Sequence, residues 1–297
     1  MNLSKYSENM HTEADKGITA DIILSLLILM TTGAYYYGYR AIIVTIICVS
    51  CALITEYIIN IILKNYEFTY DLCTVIYSII TAFFMPATVP LWLPAVSGVI
   101  TVLIKCGMQF KDGYRFTNPF IAASAITNLF FIRFMNNPPQ PFSKLELISA
   151  EATSVTEAPH TFMNMFLGKT AGNIGTTCIF LIIICGSYLV WRKIILWKAP
   201  VCYIAVCTLL GAVLQHGFDG LFMDGMVMTA VYGLSNFGTD TRDTVSQIIY
   251  ALICAFVTVV LYYFAGFGGA AVCSVFAADT VIFICDLIHR RRNCSRM

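Results

Sequence analysis

The chain has 297 residues, of which 58% are hydrophobic and 12% charged, and its formal net charge at pH 7 is +1. A soluble domain of ordinary composition carries roughly 25% charged residues, so there is too little charge here to clothe a water-facing surface. The composition excludes an ordinary soluble enzyme, gives no reason to expect a nucleic-acid partner, and specifies an integral membrane protein, which its long apolar runs make all-α.

Residues 1–17 are polar and of mixed charge, and Asp21 stands at the edge of the first apolar run with no small-residue cleavage pattern after it, so a removable signal peptide is not expected. Apolar runs of roughly membrane-spanning length follow at 18–37, 41–63, 71–86, 89–107, 117–135, 174–197, 199–215, 220–237, 244–265 and 268–289. About ten transmembrane helices are therefore expected. The runs at 71–86 and 220–237 are short and interrupted: the first ends at Pro86, and the second carries Asp224, Gly225 and Gly233. Five spans in each half would invert the second copy relative to the first. Broken segments at matching positions mark a site where backbone polar groups face protein instead of lipid.

Orientation follows from lysine and arginine. Arg290, Arg291, Arg292 and Arg296 place the C-terminal tail in the cytoplasm, and an even number of spans places the N-terminus with it. Loops on that side hold Lys64, Lys105, Lys111, Arg115, Arg192, Lys193, Lys198 and Arg242, whereas those opposite hold Arg40, Arg133, Lys144 and Lys169. The expected organisation is a cytoplasmic segment at 1–17, a five-helix repeat at 18–135, an extracytoplasmic loop at 136–172, a second five-helix repeat at 173–289 and a basic cytoplasmic tail at 290–297. The expected location is the cell (inner) membrane.

Of the 12 cysteines, those at 48, 51, 73, 178, 185, 202, 207, 254, 273 and 285 lie inside apolar runs, and Cys106 and Cys294 lie near run ends. Cys48 and Cys51 form a C-x-x-C in mid-span, where cysteine acts as a small apolar residue and packing is favoured over a redox role. His11, His160, His216 and His289 have no metal-ligand spacing, so no metal site within this chain is expected. Tyr35, Tyr36, Tyr37, Tyr39, Trp92, Trp191 and Trp197 read as interfacial anchors. Gly266-Phe267-Gly268-Gly269 reads as a tight turn between the last two spans.

A carboxylate within lipid is expensive and is retained for ion or proton handling, which makes Glu56, Asp71, Asp224 and Asp279 the ion-path candidates. The competing reading makes Asp71 and Asp224 helix caps and pairs Glu56 with Lys64 or Tyr66 at the interface. The polar segment from Asn136 to Gly172 interrupts the apolar pattern and carries Thr153-Ser154-Val155-Thr156.

Read together, several motifs resemble the NqrB/RnfD family, which contains the D-type component of the Rnf electron-transfer complex and the B-type component of the sodium-pumping NADH:quinone reductase. Phe166 to Thr177, with Gly168, Gly172 and Gly175, is similar to the family's F-x-G-x-x-x-G-S-I-G-E-x-S stretch before the sixth span, with Asn173 in place of Ser and Thr176 in place of Glu. Gly113, Asn118 and Pro119 fit the family's G-x-N-x-F-N-P turn, while Arg115 and Thr117 depart from it. Asp71, the run from Thr81 to Pro86, and Glu56-Tyr57 resemble further family features in the same order. The glycine-rich turn at 266–269 and the stretch from Tyr232 to Arg242 depart from the family's patterns.

In that family a short S-G-A-T-type motif before the sixth span carries FMN through a phosphoester on its last threonine, and Thr153-Ser154-Val155-Thr156 lies in that place. The resemblance implies covalent FMN on Thr156, with Ser154, Gly168, Gly172, Gly175 and Asn118 as further cofactor-binding residues. It implies the membrane and peripheral subunits of an Rnf-type complex as partners, a flavin transferase for maturation, and coupling of ferredoxin-to-NAD electron transfer to Na+ or H+ movement. A second, non-covalent flavin is left open. Ser154, Val155 and Glu157 depart from the family motif, which keeps a plain Ser/Thr-rich loop as the competing reading. The alternative from another class is an inverted-repeat transporter or channel without a redox cofactor, with Asp71 and Asp224 at its midplane; a structural subunit that lost both activities is a third.

Overall fold

The computed structural model describes residues 3–62, 72–109, 118–136, 138–142, 162–214, 222, 225–234, 244–264, 266 and 268–294, and of these the side chains between 17 and 284 except at 108, 109, 162 and 244. Among the described residues every regular element is a helix, as the bilayer's lack of hydrogen-bonding partners for open backbone requires.

Helices α1 (Leu3–Tyr37) and α2 (Tyr39–Ile62) are separated by Gly38 alone. Gly38 takes a left-handed φ of 67° and donates its N–H to Ala34 O, ending α1 where a side chain would be strained. Helix α3 (Leu72–Phe83) is 12 residues long and gives way to irregular backbone before α4 (Trp92–Gln109). Pro86 and Pro90 lie in that gap and supply no N–H for a helical ladder. Helix α5 (Pro119–Phe130) opens with proline in its first turn, where a missing N–H leaves no bond unmade, and the short α6 (Ile132–Met135) follows Phe131.

In the second half come α7 (Phe162–Phe166), α8 (Ile179–Trp191), α9 (Lys198–Val213) and α10 (Met226–Met228), which runs on as a π-helical turn at Thr229–Gly233. They are followed by α11 (Thr244–Tyr263) and α12 (Ala270–Cys294). Gly266 and Gly269, with φ of 59° and 84°, lie in the link between these last two helices, as the glycine-rich turn predicted.

Three helices are long and apolar enough to cross a membrane, Gly17–Tyr37, Tyr39–Ile62 and Val245–Tyr263; Leu72–Phe83, Trp92–Gly107, Pro119–Phe130, Ile179–Trp191, Lys198–Val213 and Ala270–Ile284 are apolar but shorter. The expected span at 174–197 contracts to α8 because the glycine-containing stretch before it is irregular, and the run at 117–135 divides at Phe131. Of the two runs predicted to be broken, the first stops after Phe83, and the described part of the second starts at Gly225, at a left-handed φ of 81°, and is helical only from Met226 to Gly233.

Helix α2 lies on α4 and α9 on α11; α4 lies on α5 and α11 on α12. Helix α3 is enclosed by α1, α2, α4 and α5, and the α10 turn by α8, α9 and α12. Between the halves α1 meets α8 and α5 meets α12. Helices α1 and α8 are antiparallel, because Asp21 near the start of the apolar part of α1 accepts from Tyr188 (2.8 Å) and Arg192 (2.6 Å) at the end of α8. Cys48 is buried where α2 meets Gly98 of α4, and its thiol donates to Ser78 O at 3.4 Å, a packing role.

Candidate functional site

The backbone that leaves α3 has no helical ladder to satisfy it, and each exposed carbonyl would cost several kcal/mol in an apolar interior. Four alternate carbonyls find partners from elsewhere. Phe83 O accepts from Gly175 N and Met85 O from Ile174 N, each at 3.0 Å. Ala87 O accepts from Arg40 Nε at 2.6 Å and Val89 O from Arg40 Nη2 at 2.9 Å. The break in the first half is thus stitched to the irregular stretch before α8 and clamped by the first turn of α2. Arg40 was expected in an external loop; it is instead 2% exposed inside the fold.

The second half meets the same place. Gly225, at φ 81°, has no room for a side chain, since a Cβ would lie 2.9 Å from Thr176 Cγ2 and 3.6 Å from Phe84. Gly175 faces Phe83 so closely that a Cβ there would overlap the ring. Phe83, Gly175 and Gly225 therefore bring three interrupted segments to one point. Asp71 and Asp224, which immediately precede two of these segments, lie outside the described residues.

Thr156 and Ser154 also lie outside the described residues, within 143–161, but both roots of that segment are described. They converge on Tyr36. On one side Phe142 N donates to Tyr36 O at 2.8 Å, and on the other Tyr36 Oη donates to Leu167 O at 2.6 Å. Phe142 has a φ of 62°, unusual for a bulky residue and the kind of strain that persists only where the surroundings enforce it. Its ring meets Tyr35 and Tyr36 edge-on, with centroids 5.4 and 5.3 Å apart. Tyr37, 2% exposed, holds the next stretch by donating to Gly172 O at 2.7 Å and sharing a hydrogen bond with Thr177 Oγ1 at 2.9 Å.

The three glycines proposed for the cofactor lie in this stretch. At Gly168 (φ 75°) a Cβ would meet Tyr36 and Cys178 at 3.1 and 3.2 Å, and at Gly172 it would meet Thr177 at 3.3 Å. Together with Gly175 against Phe83, they let the chain pass close to α1, α3 and its own next turn. Asn118 stands at the start of α5 and donates Nδ2 to Gly233 O at 3.3 Å, where the π turn ends.

Of the acids, Glu56 is buried at 8% exposure and paired, though not with the expected Lys64 or Tyr66. Its Oε1 accepts from Lys105 Nζ at 2.8 Å and from Thr74 Oγ1 at 2.8 Å, while Lys105 Nζ also donates to Thr74 Oγ1 at 2.5 Å. Lys105 was expected as a loop charge; it is buried at 6% exposure in the last turns of α4. Asp279, 7% exposed on α12, accepts from Tyr250 Oη at 2.6 Å and lies in a different helix pair from Glu56. The structure therefore does not gather the described acids into one cluster. Arg40, Lys105, Tyr36 and Tyr37 were missed as site residues because each stands near a span end, where charges and tyrosines are ordinarily interfacial.

Comparison with known proteins agrees with this frame. One relative, the D component of the Na(+)-translocating ferredoxin:NAD(+) oxidoreductase complex of Acetobacterium woodii, is 25% identical over 262 residues, covering 84% of this chain and 81% of that protein. The D component of the ion-translocating oxidoreductase complex of Methanosarcina acetivorans is 22% identical over 249 residues, covering 82% and 79%. The D component of the proton-translocating ferredoxin:NAD(+) oxidoreductase complex of Clostridium ljungdahlii is 23% identical over 283 residues, covering 84% of each chain. Residues 6–295, nearly the whole length, match the NQR2, RnfD, RnfE family, and the chain with its broken, mutually stitched helices is a member of it.

Proposed function

We propose that this chain is the D-type membrane component of an Rnf-type, ion-translocating ferredoxin:NAD oxidoreductase complex, carrying FMN on Thr156. The observation that carries the reading is the family match over residues 6–295. The relatives are named as subunits, which supports a chain that works among membrane and peripheral partners rather than alone. Its helices form two five-helix repeats of inverted topology, both termini face the cytoplasm, and the segment at 136–172 faces outward in the cell (inner) membrane. Arg40 and Lys105 are both buried and leave the tally, which takes one charge from each side and keeps the basic excess on the cytoplasmic side.

The residues present suit a flavin on that loop. A phosphoester needs a hydroxyl, which Thr156 supplies, and the segment bearing it is held at both roots by Tyr36. Tyr35 and Phe142, 71% and 55% exposed, offer flat apolar surface at those roots. Ser154 lies two residues before Thr156, and Gly168, Gly172 and Gly175 bring the return strand of the loop close to α1 and α3. Bound FMN would supply one- and two-electron transfer. The protein fixes the roots of the loop against the end of α1 and ties the stretch after it through Ile174 and Gly175 to the break after α3. The acids that would serve a path for Na+ or H+ are Glu56 and Asp279, each buried in its own helix pair, with Asp71 and Asp224.

The test is in-gel flavin fluorescence of the denatured protein, co-expressed with a flavin transferase, for wild type beside Thr156→Ala. Fluorescence that survives denaturation in wild type and disappears in the variant is expected. A dark wild-type band would remove the covalent flavin and return the reading to a cofactor-free transporter or structural component.

A further inference from the structure

The charged cluster at Glu56 is built for more than one occupant. Glu56 Oε1 and Thr74 Oγ1 both face Lys105 Nζ, at 2.8 and 2.5 Å, so a single positive charge sits between two hard oxygens contributed by α2 and α3. All three residues are buried. Taking a carboxylate and an ammonium out of water is costly, and a well-packed apolar trio would hold three helices together at least as well. The cluster lies toward the ends of its three helices. Glu56 is in the last turns of α2, Thr74 in the first turn of α3 and Lys105 in the last turns of α4, while Gly107, two residues further on, is exposed.

A lysine's flexible four-carbon stem lets its head swing from a buried partner to the interface, and its point charge grips a carboxylate less firmly than the bidentate fork of arginine. When the ammonium withdraws, Glu56 and Thr74 are left offering one negative charge and two oxygens, a donor set suited to a small hard cation. The charge balances one for one: each cation that binds replaces one ammonium, and its departure draws the ammonium back. We infer that Lys105 is a tethered counter-cation that alternates with a monovalent metal ion such as Na+ at Glu56 and Thr74. It is a positioning residue at the mouth of the ion path. The inference rests on the ion-path reading of Glu56 but not on the flavin.

The test uses the protein purified with the other components of its complex, melted in detergent in NaCl and in choline chloride of equal concentration at one pH. Lys105→Met removes the internal cation, and Lys105→Gln removes it while keeping an N–H for Glu56, which protects folding. In both, Na+ should raise the midpoint by about 4 °C at a concentration about tenfold above its dissociation constant. Wild type and the double variant Glu56→Gln/Lys105→Gln should shift by less than about 1 °C, given the same scale. Lys105→Arg, which keeps the pair closed, should raise the half-saturating Na+ for transport in proteoliposomes by about tenfold, given its firmer grip on a carboxylate. No Na+-specific shift in either neutral variant, an equal shift in the double variant, or an unchanged half-saturation in Lys105→Arg would overturn the inference. Loss of the covalent flavin at Thr156 would leave the melting result intact, so the two readings fail separately.

Discussion

Replacing Arg40 by methionine tests whether the break after α3 depends on the clamp that spans it. The guanidinium gives Ala87 O a bond of 2.6 Å and Val89 O one of 2.9 Å, and the site is 2% exposed, so water cannot take over. Hydrogen bonds from a charged donor contribute about 1.5–3 kcal/mol each, which sets a gross loss of about 3–6 kcal/mol for the pair. Removing a buried guanidinium recovers part of this, because its own desolvation no longer opposes folding. A net loss of about 3 kcal/mol is expected, and at roughly 2–4 °C per kcal/mol for a chain of this size the apparent melting point falls by about 6–12 °C. Lysine, a point donor that can reach one carbonyl but not fork across two, should lose about half as much. The assay is fluorescence-detected melting of the detergent-solubilised protein at one fixed heating rate, since membrane proteins commonly unfold irreversibly. A methionine variant melting within about 2 °C of wild type would show that the carbonyls of Ala87 and Val89 are satisfied without Arg40, and the argument for the clamp would fail.

Other perturbations give separate outcomes. Gly175→Ala places a methyl against Phe83 and should lower the yield of folded protein, with recovery when Phe83→Ala is added; absence of recovery would place the clash elsewhere. Tyr37→Phe removes the bond to Gly172 O and the shared bond with Thr177, leaving a buried carbonyl unpaired; a loss of about 1–2 kcal/mol is expected in the same melting assay. Glu56→Gln alone leaves Lys105 buried without its counter-charge and should destabilise by about 3–5 kcal/mol, whereas Glu56→Gln with Lys105→Met should stand close to wild type; additive losses would refute the pairing. Ser124 Oγ and Thr229 Oγ1 are buried without a hydrogen-bond partner, so Ser124→Ala should leave stability unchanged or raise it by about 1 kcal/mol, and a clear loss would reveal an ordered water there.

The sequence by itself determined the class of this protein. An apolar content of 58% with 12% charge points to lipid as the solvent, and apolar runs near 20 residues point to helices within it; neither conclusion needs contact information. Proline and glycine at 86, 225 and 233 located the breaks after α3 and near α10, because their backbone limits are local. Family motifs located the segment with Thr156, since its meaning lies in the order of residues along the chain. Tertiary structure decided the partners. Nothing local links Arg40 to Ala87 and Val89, Tyr36 to Phe142 and Leu167, or Glu56 to Lys105, and hydropathy assigns the charges among them to loops or interfaces. The same helices could carry those charges outward on long side chains. Their inward course is chosen only where another helix brings an unsatisfied carbonyl or carboxylate within about 3 Å, since in an apolar interior the alternative is a polar group with no partner at all.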